Sequence, residues 1–457
     1  MTATNIRIHP AEEEFASLAR EWPLVPMWAE LLADVSTPVG LFPAVASDGP
    51  GVLLESVERS ERWGRYSFVA GDPAALIVAD REGVRTERVV RKLPLDGALE
   101  HARDASGVLG VLKRVASALR GPRLSELPPL TGGLVGYLAY EAAEILDGHP
   151  YPAADAPCPP IELQVVDRAV VFDHWRQRLS LVAHVPAADE GAYANGRRAL
   201  LELAERVNAA PSMAAEPFEP GDVDLARGTG NMPDERYREI VRTMKEHILA
   251  GDIFQAVPSR RVTFPAADGG LSIYRKLRVT NPSPYMFFVR MPGMELAGSS
   301  PEPLVRVEGR RVLSRPIAGT YPRGADDEAD RRAEHELLAD PKERAEHAML
   351  VDLARNDIGR VCVPGSVSPT ELMVVERFSR VMHIVSTVEG DLRDDKTPLD
   401  ALAVTFPAGT VTGAPKRRAM ELIAEQEPTA RGPYAGAVGY LTFAGDLDFA
   451  ITIRTAV

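Results

Sequence analysis

Short apolar runs separated by turn residues recur along the chain and limit its fold more than any other feature. Each run is a few residues long and contains Val, Leu, Ile or aromatic side chains, a composition that predicts β-strands. In the first half these runs cover residues 51–57, 65–70, 75–79, 165–172 and 179–183. Because short turns join antiparallel neighbours, we expect mostly antiparallel sheets.

The second half adds helices to this pattern. One helix is predicted between Asn231, as its N-cap, and Gly251, and another between Asp340, as its N-cap, and about residue 356. Further strands are predicted at 253–257, 286–290, 304–307 and 311–314, with a closing hairpin at 435–443 and 449–457. Helices combined with mostly antiparallel strands define an α+β fold.

Composition divides the chain once and excludes several classes of protein. Between residues 208 and 231 it shifts to Pro, Ala and Gly without an apolar period, which predicts a linker between domains 1–227 and 228–457. The net charge of −13 disfavours nucleic acid as a partner. No signal peptide or membrane span is visible, and two cysteines without metal-type spacing suit the cytoplasm.

Two features predict ligand sites, one for a small anion and one for a metal ion. The run 313–320 ends in Gly319 and Thr320, and such a loop offers backbone amides and a hydroxyl to a small carboxylate. Glu343 and Glu346 stand three apart on the second predicted helix, so both carboxylates lie on one face and suit Mg²⁺. On their own, such acids more often form a solvated surface with neighbouring cations.

Other polar residues have a chemical and a structural interpretation. Glu302 could donate a proton from a partly buried carboxyl group, but Glu after Pro is usually a turn residue. His383 lies in an apolar stretch, where a lone His is more often part of the core. Arg454 alternates with apolar residues on a predicted strand and could hold a carboxylate, or simply face solvent.

Three segments together resemble the chorismate-utilising enzymes, and most of all the large subunits of anthranilate synthase. These segments are 298–302, 313–320 and 350–357, and the resemblance extends over nearly the whole chain. It implies a β-sandwich core of mostly antiparallel sheets flanked by helices. It also makes residues 228–457 the chorismate-binding catalytic domain.

The resemblance implies a role for each candidate residue. Glu343 and Glu346 would hold Mg²⁺ against the ring carboxylate of chorismate, Glu302 would protonate the departing C4 hydroxyl, and His383 would assist elimination. The residues that would line the chorismate site are Gly319, Thr320, Tyr434 and Arg454.

Two positions distinguish among reactions of chorismate. Gln255 stands where water-adding relatives carry a Lys as general base, and Ala318 stands where aminodeoxychorismate synthases commonly carry a nucleophilic Lys. The resemblance therefore implies direct attack of ammonia at C2, followed by loss of pyruvate to give anthranilate. The alternatives are an aminodeoxychorismate or aminodeoxyisochorismate synthase, or a truncated chain that binds tryptophan without turnover.

Regulation and partners are also implied. Ser56 of the first domain, with Pro284, Tyr285 and Met286 of the second, resembles the tryptophan pocket through which anthranilate synthases are feedback-inhibited. No glutaminase nucleophile is visible, so glutamine use implies a separate amidotransferase subunit in a hetero-oligomer. Family members continue past the closing hairpin with further Mg²⁺-binding acids, whereas this sequence ends at Val457, so the resemblance implies a catalytic domain lacking its C-terminal end.

Overall fold

A computed structural model describes the chain apart from residues 1–5, 33, 35, 57–63, 100–106, 149–155, 212, 214–223, 267–268 and 379–380. The end of the strand predicted at 51–57 and much of the predicted linker lie outside the described residues. No described helix combines the length and apolar composition needed to cross a bilayer.

Helices alternate with groups of strands along the described ranges. The helices are α1 (Glu12–Leu18), α2 (Pro38–Ala46), α3 (Asp96–Leu99), α4 (Gly107–Ala118), α5 (Ala142–Asp147), α6 (Ala192–Asn208), α7 (Asp234–Ala250), α8 (Gly270–Thr280), α9 (Asp327–Ala339), α10 (Pro341–Gly359), α11 (Pro398–Thr405) and α12 (Lys416–Gln426).

The strands of the same ranges are mostly short. They are β1 (Ile8–His9), β2 (Leu24–Leu32), β3 (Gly51–Glu55), β4 (Tyr66–Gly71), β5 (Ala75–Asp80), β6 (Gly83–Glu87), β7 (Gly133–Leu138), β8 (Ile161–Val166), β9 (Arg168–Asp173), β10 (Arg178–Pro186), β11 (Thr229–Gly230), β12 (Gln255–Ala256), β13 (Val262–Thr263), β14 (Tyr285–Met291), β15 (Met294–Ser300), β16 (Pro303–Glu308), β17 (Arg311–Ser314), β18 (Ile317–Pro322), β19 (Ser368–Arg377), β20 (Val381–Asp391), β21 (Gly413–Ala414), β22 (Ala437–Thr442), β23 (Leu447–Ile451) and β24 (Thr455–Ala456).

Two large antiparallel sheets organise these strands. Among the described residues, the smaller sheet has nine strands in the order β1-β2-β10-β9-β4-β3-β14-β15-β24. The larger has eleven, in the order β18-β20-β17-β16-β23-β22-β7-β8-β5-β6 with β19 beside β20. Both sheets combine strands from before and after residue 228, so the boundary predicted there does not divide the sheets.

The two sheets pack face to face. Because side chains of a strand alternate between faces, Phe287 and Val289 of β14 point inward and join Val438 of β22 in one buried cluster. Phe288 points the other way and joins Phe42 of α2 in the cluster beneath the outer helices. The structure thus has an α+β fold with a β-sandwich core flanked by helices, which confirms the expected architecture.

Helices cover both outer faces of this sandwich. The outer cluster of the smaller sheet includes Leu41 of α2 and Leu200 of α6. That of the larger sheet includes Val111 of α4, Ile358 of α10 and Met420 of α12. As a result, α10, the helix predicted to carry the acids, is fixed by its buried face against the sheet.

Two helix predictions need correction. The helix expected from Asn231 begins at Asp234 with Pro233 as its N-cap, because the Asn231 side chain instead accepts a hydrogen bond from the Arg261 amide at 2.9 Å. Helix α9 was not predicted, since its charged sequence shows little apolar periodicity and buries Leu337 on one side. The N-cap Asp340 and the helix that follows it are confirmed.

Two strand predictions are also wrong in part. The strand expected at 253–257 is reduced to Gln255–Ala256, which pairs with Gly413–Ala414. The closing hairpin ends its second strand at Ile451, after which the chain crosses to the smaller sheet, where Thr455–Ala456 pairs with β15. Arg454 therefore lies on this crossover, not on the predicted strand, and has a left-handed φ of 50°.

Phe288 is a direct test of the outer core. Its ring is fully buried and packs edge-on against Phe42, with ring centroids 5.1 Å apart. We expect Phe288→Ala to lower the free energy of unfolding by about 3–5 kcal/mol through lost burial and a residual cavity. The matched control Trp175→Ala removes a ring that is 72% exposed and should change it by under about 0.5 kcal/mol. Equal denaturation midpoints for the two variants would contradict this packing.

Candidate active site

Two crossovers between the sheets form the base of the candidate site. The chain leaves the smaller sheet after Ser300 and enters the larger one at Pro303, and it returns between Ile451 and Thr455. The crossovers are bonded to each other, because the Ile451 amide donates to the Glu302 carbonyl at 3.0 Å and the Ser299 amide donates to the Arg454 carbonyl at 3.1 Å. Glu302 and Arg454 are therefore brought together.

Glu302 is a buried carboxyl group with an altered acidity. Its side chain accepts a hydrogen bond from Thr410 Oγ1 at 3.0 Å and the residue is 8% exposed. Burial raises its pKa to about 8, although the Thr410 hydrogen bond and the charge of Arg454 act in the opposite direction. At neutral pH the group thus carries a proton that it can donate.

His383 faces the loop that the sequence singled out. It stands opposite Thr320 in the pairing of β18 with β20, where a bulge sets Gly319 at a φ of 65°. Its Nδ1 lies 3.0 Å from the Gly319 carbonyl and 3.0 Å from Thr320 Oγ1. Since a carbonyl only accepts, the contact with Gly319 requires a proton on Nδ1 and leaves the Nε2 lone pair to act as a base.

The imidazole is also held neutral. Burial lowers the pKa of His383, and the positive charge of Arg454 lowers it further. Arg454 thus acts electrostatically on both Glu302 and His383. The charge of the exposed Arg454 guanidinium therefore influences both the protonated Glu302 and the neutral His383.

The two acids of α10 connect these groups to Gln255. Asp340 caps the helix by accepting from the Lys342 and Glu343 amides. A Cβ atom placed on Gly319 would lie 3.3 Å from Glu343 Oε2, so this carboxylate packs against the bulged loop. Glu346 Oε1 accepts from Gln255 Nε2 at 3.3 Å. Gly319 lies against Glu343 and Gln255 bonds to Glu346, so residues from two other segments meet α10 at neighbouring positions.

These oxygens form a set that suits Mg²⁺. Both carboxylates are partly buried, and the amide that contacts Glu346 has a buried Oε1 without a partner among the described residues. No group of three or more His, Cys, Asp and Glu gathers as a metal site in the described part of the chain. Mg²⁺ is commonly bound by one or two carboxylates with water and substrate oxygens completing its shell, so the residues fit this ion.

Tyr434 lies at the rim of the site. It is 39% exposed and follows α12 in a loop held by Arg431, whose guanidinium lies 5.7 Å from the Tyr434 ring centroid. A narrow cleft extends from Glu302 and Thr410 toward Asp357. Among the predicted site residues, Glu302 lines that cleft. The others lie outside its lining: Gln255, Gly319, Thr320, Glu343, Glu346, His383, Tyr434 and Arg454.

Sequence reasoning missed several residues that support these groups. Thr410 and Arg431 were not singled out. His347, one position after Glu346, donates or accepts through Nε2 at 2.6 Å from Ser386 Oγ and ties α10 to the strand of His383. Such contacts join residues far apart in sequence, so no local pattern indicates them.

A second pocket collects the other predicted ligand residues. One pocket is lined by Ser56, Pro284, Tyr285 and Met286, and its lining also includes Glu55. It lies where β3 and β14 face β22 and β23, between the two sheets. Ser56 Oγ is buried and has no hydrogen-bond partner within the described residues. The pocket thus combines apolar walls with an unsatisfied hydroxyl group.

The fold and these groups define a class of enzyme. Residues 75–457 match the family described as chorismate binding enzyme, and the chain belongs to this family. Within it, the chain groups with anthranilate synthase component 1. The protein of that name from Pseudomonas aeruginosa is 41% identical over 460 residues, covering 97% of this chain and 90% of the relative. That of Mycobacterium tuberculosis is 43% identical over 465 residues, covering 98% and 88%.

Solved structures are similar over the same extent. Anthranilate synthase component I from Streptococcus pneumoniae superposes with a TM-score of 0.71 at 32% identity, covering 93% of this chain and 90% of that one. The menaquinone-specific isochorismate synthase from Escherichia coli has a TM-score of 0.63 at 18% identity, covering 97% and 89%. The second likeness concerns the fold alone.

The pKa of Glu302 makes stability depend on pH. A carboxyl group whose pKa rises on folding, here to about 8, stabilises the protein fully at acid pH, and this contribution is lost as pH rises through about 8. Glu302→Gln removes that dependence. We therefore expect the melting temperature of the variant minus that of the wild type to increase between pH 5 and pH 8 and then level off.

The matched control is Glu328→Gln, which alters a side chain that is 77% exposed. Its difference from the wild type should stay constant across the same pH series in thermal denaturation. Parallel curves for the wild type and Glu302→Gln would show that Glu302 ionises normally.

Proposed function

We propose that this protein converts chorismate and ammonia into anthranilate and pyruvate. The observation that carries the proposal is the pairing of a buried, protonated Glu302 with a neutral His383 around Arg454. A reaction that expels a hydroxyl group and then removes a ring proton needs one acid and one base. The identity to anthranilate synthase component 1 over nearly the whole chain supports the same reaction.

Glu302 acts in the first step. Ammonia attacks C2 of the ring while both ring double bonds shift and the C4 hydroxyl departs, taking the proton of Glu302 to leave as water. The ammonium group formed at C2 then loses a proton, which restores the protonated state of Glu302. Since the pKa of Glu302 is about 8, the acid is mostly protonated at neutral pH. Thr410, which donates to this carboxyl group, keeps its orientation and stabilises the carboxylate formed by proton transfer.

Gln255 and Ala318 select ammonia as the nucleophile. Gln255 has no basic group with which to deprotonate water, and its amide is held by Glu346. Ala318 offers no amine for a covalent adduct. Ammonia as free base needs no such assistance, so the remaining route is direct amination at C2 to give aminodeoxyisochorismate.

His383 acts in the second step. Its Nε2 removes the proton from C2, the enolpyruvyl group leaves from C3 as enolpyruvate, and the ring becomes aromatic. Enolpyruvate takes up a proton to give pyruvate. The Gly319 carbonyl holds the proton on Nδ1, which keeps Nε2 available. Thr320 and Arg454 would bind substrate carboxylates, while Tyr434 closes the rim.

Mg²⁺ is part of this proposal. Glu346 and Glu343 would hold it, and when bound it neutralises charge on the ring carboxylate. Glu343, which packs against the Gly319 bulge, would hold the ion on the same side of the site as Thr320 and His383.

An ammonia-dependent assay tests the reaction. Chorismate, ammonium and Mg²⁺ with the purified protein should give fluorescent anthranilate, at a rate that falls as pH rises through about 8 once the ammonia concentration is held constant. Glu302→Gln should lower kcat by about 10²–10⁴-fold, because it removes the proton donor. The control Glu328→Gln should leave kcat unchanged.

Product analysis separates the alternatives in the same assay. Aminodeoxychorismate as the product would assign the folate-type reaction instead. Accumulation of non-aromatic aminodeoxyisochorismate would show that the reaction stops before elimination. Either result contradicts the proposal, as does full activity of Glu302→Gln.

We further propose a partner subunit and a cytoplasmic location. Component 1 in the names of the relatives suits a protein that works with a second component, and a glutamine amidotransferase would supply the ammonia. A hetero-oligomer of the two would bring the glutaminase next to Gln255. The acidic net charge and the absence of a described membrane-crossing helix are compatible with such a cytoplasmic complex.

The pocket between the sheets is proposed to bind tryptophan as a feedback inhibitor. Its apolar walls suit an indole ring, and the Ser56 hydroxyl offers an acceptor to an amino group. The pocket is formed by β14, and the strand that follows, β15, ends directly before the crossover of Glu302. Tryptophan would thus favour one arrangement of that crossover over another.

Ser56 provides the test of this site. Because its buried hydroxyl lacks a partner within the described residues, a ligand that bonds to it gains a hydrogen bond, and Ser56→Ala should weaken tryptophan binding about fivefold. The control Ser117→Ala, at an exposed position of α4, should bind like the wild type. Isothermal titration calorimetry with L-tryptophan measures both, and unchanged affinity in Ser56→Ala would exclude this role.

A further inference from the structure

We propose that Arg431 is the positioning residue of the candidate active site, holding in register three segments that each carry a group of the proposed reaction. The inference rests on the proposed function for its catalytic consequence. The coupling of the segments, however, is a property of the structure and can be measured without turnover.

The Arg431 side chain is almost wholly buried and donates four hydrogen bonds. Its relative exposure is 1%, and that of its partner Glu427 is 3%. Nε donates to Glu427 Oε2 at 2.9 Å, and Nη2 donates to Glu427 Oε1 at 2.7 Å. The remaining contacts go to backbone, from Nη1 to the Val411 carbonyl at 2.9 Å and from Nη2 to the Val257 carbonyl at 2.8 Å.

Each backbone contact lies next to a group of the site. Val257 is two residues after Gln255, which contacts Glu346. Val411 directly follows Thr410, which donates to Glu302. The two segments also pair with each other as β12 and β21, and the Val257 amide donates to the Thr412 carbonyl at 2.9 Å. Arg431 thus bonds both to the segment that carries Gln255 and to the segment that carries Thr410, the partner of Glu302.

The third segment is the loop that carries Tyr434. Its backbone is held by Glu141, whose Oε1 accepts from the Arg431 amide at 2.8 Å and from the Gly432 amide at 3.2 Å. The guanidinium itself lies 4.5 Å from the ring centroid of Tyr140. The loop thus begins at Arg431 itself, next to the contacts that its side chain makes with the other two segments.

Arginine is specifically needed for these contacts. Its planar group directs separate N–H bonds toward Glu427, Val257 and Val411, whereas a Lys ammonium is a single point that cannot reach all three acceptors. Glu427 also accepts from the Ser259 amide at 2.6 Å. Both Arg431 and Glu427 therefore bond to the segment that follows Gln255. Removing the cation entirely would leave a buried carboxylate without its partner, which is strongly destabilising.

Arg431→Lys tests the positioning role, because it keeps the positive charge and removes the planar group that donates to several acceptors at once. We expect hydrogen exchange to accelerate together in peptides covering 255–260 and 409–414, with β14 protected as in the wild type. The matched control is Arg91→Lys, which alters a fork between Asp167 and the Asp72 carbonyl and should leave both peptides unchanged. Wild-type protection of both peptides in Arg431→Lys would overturn the proposal.

A second variant covers the case in which Arg431→Lys does not fold. Glu427→Gln keeps the shape of the partner and weakens the Arg431 contact by removing its charge. Faster exchange at 255–260 and 409–414 together supports the proposal. Exchange as in the wild type at both, or at only one of them, counts against it.

The activity readout links this coupling to the reaction. In the ammonia assay, Arg431→Lys should lower kcat by about ten- to hundredfold with a smaller change in KM, because misplaced groups affect the transition state more than substrate binding. Arg91→Lys should retain kcat. An inactive wild type would defeat the proposed function while the exchange data still decide the coupling, and normal kcat in Arg431→Lys would overturn the positioning role.

Discussion

The double crossover between the two sheets is the constraint on which the candidate site depends. One strand leaves the smaller sheet and another returns to it at the same place, and their backbones bond at Glu302 and at Arg454. Because the sheets are packed face to face around a buried cluster, a carboxyl group at the crossover loses most of its contact with water. Burial then raises the pKa of Glu302 to about 8 and turns an ordinary acid into a proton donor at neutral pH.

The groups around Glu302 come from distant parts of the chain and are held by buried polar contacts. Gln255 meets Glu346 of α10, His383 meets the Gly319 bulge, and Arg431 bonds to Glu427 and two backbone segments. Partly satisfied polar networks are costly inside a protein, so each contact favours one arrangement of its segment. The second pocket uses the same sandwich differently, since it lies between the sheets and reaches the crossover through β15.

Many of the strands and helices could be predicted from the sequence, whereas the pairing of the strands could not. Strands such as β14 and β16 and the capped helix after Asp340 were recognised because alternation and capping are local signals. Helix α9 was missed since it is highly charged, and the position of Arg454 was wrong because its neighbours alternate as in a strand while the chain actually crosses between sheets. The grouping of both sheets across residue 228 could not be read from composition, which shifts at a linker but does not record which strands pair.

The sequence by itself determined the types of chemical group available and the periodicity of the elements that carry them. It indicated an α+β fold, the acids of α10, the Gly319-Thr320 loop, and the absence of a Lys at Gln255 and Ala318. Only the tertiary structure decided the burial of Glu302, the protonated nitrogen of His383, the junction at Arg431 and the assembly of Ser56 with Pro284, Tyr285 and Met286 in one pocket. The physical reason is that acidity and hydrogen bonding depend on solvent exclusion and on neighbours in space, which pairing between distant strands creates.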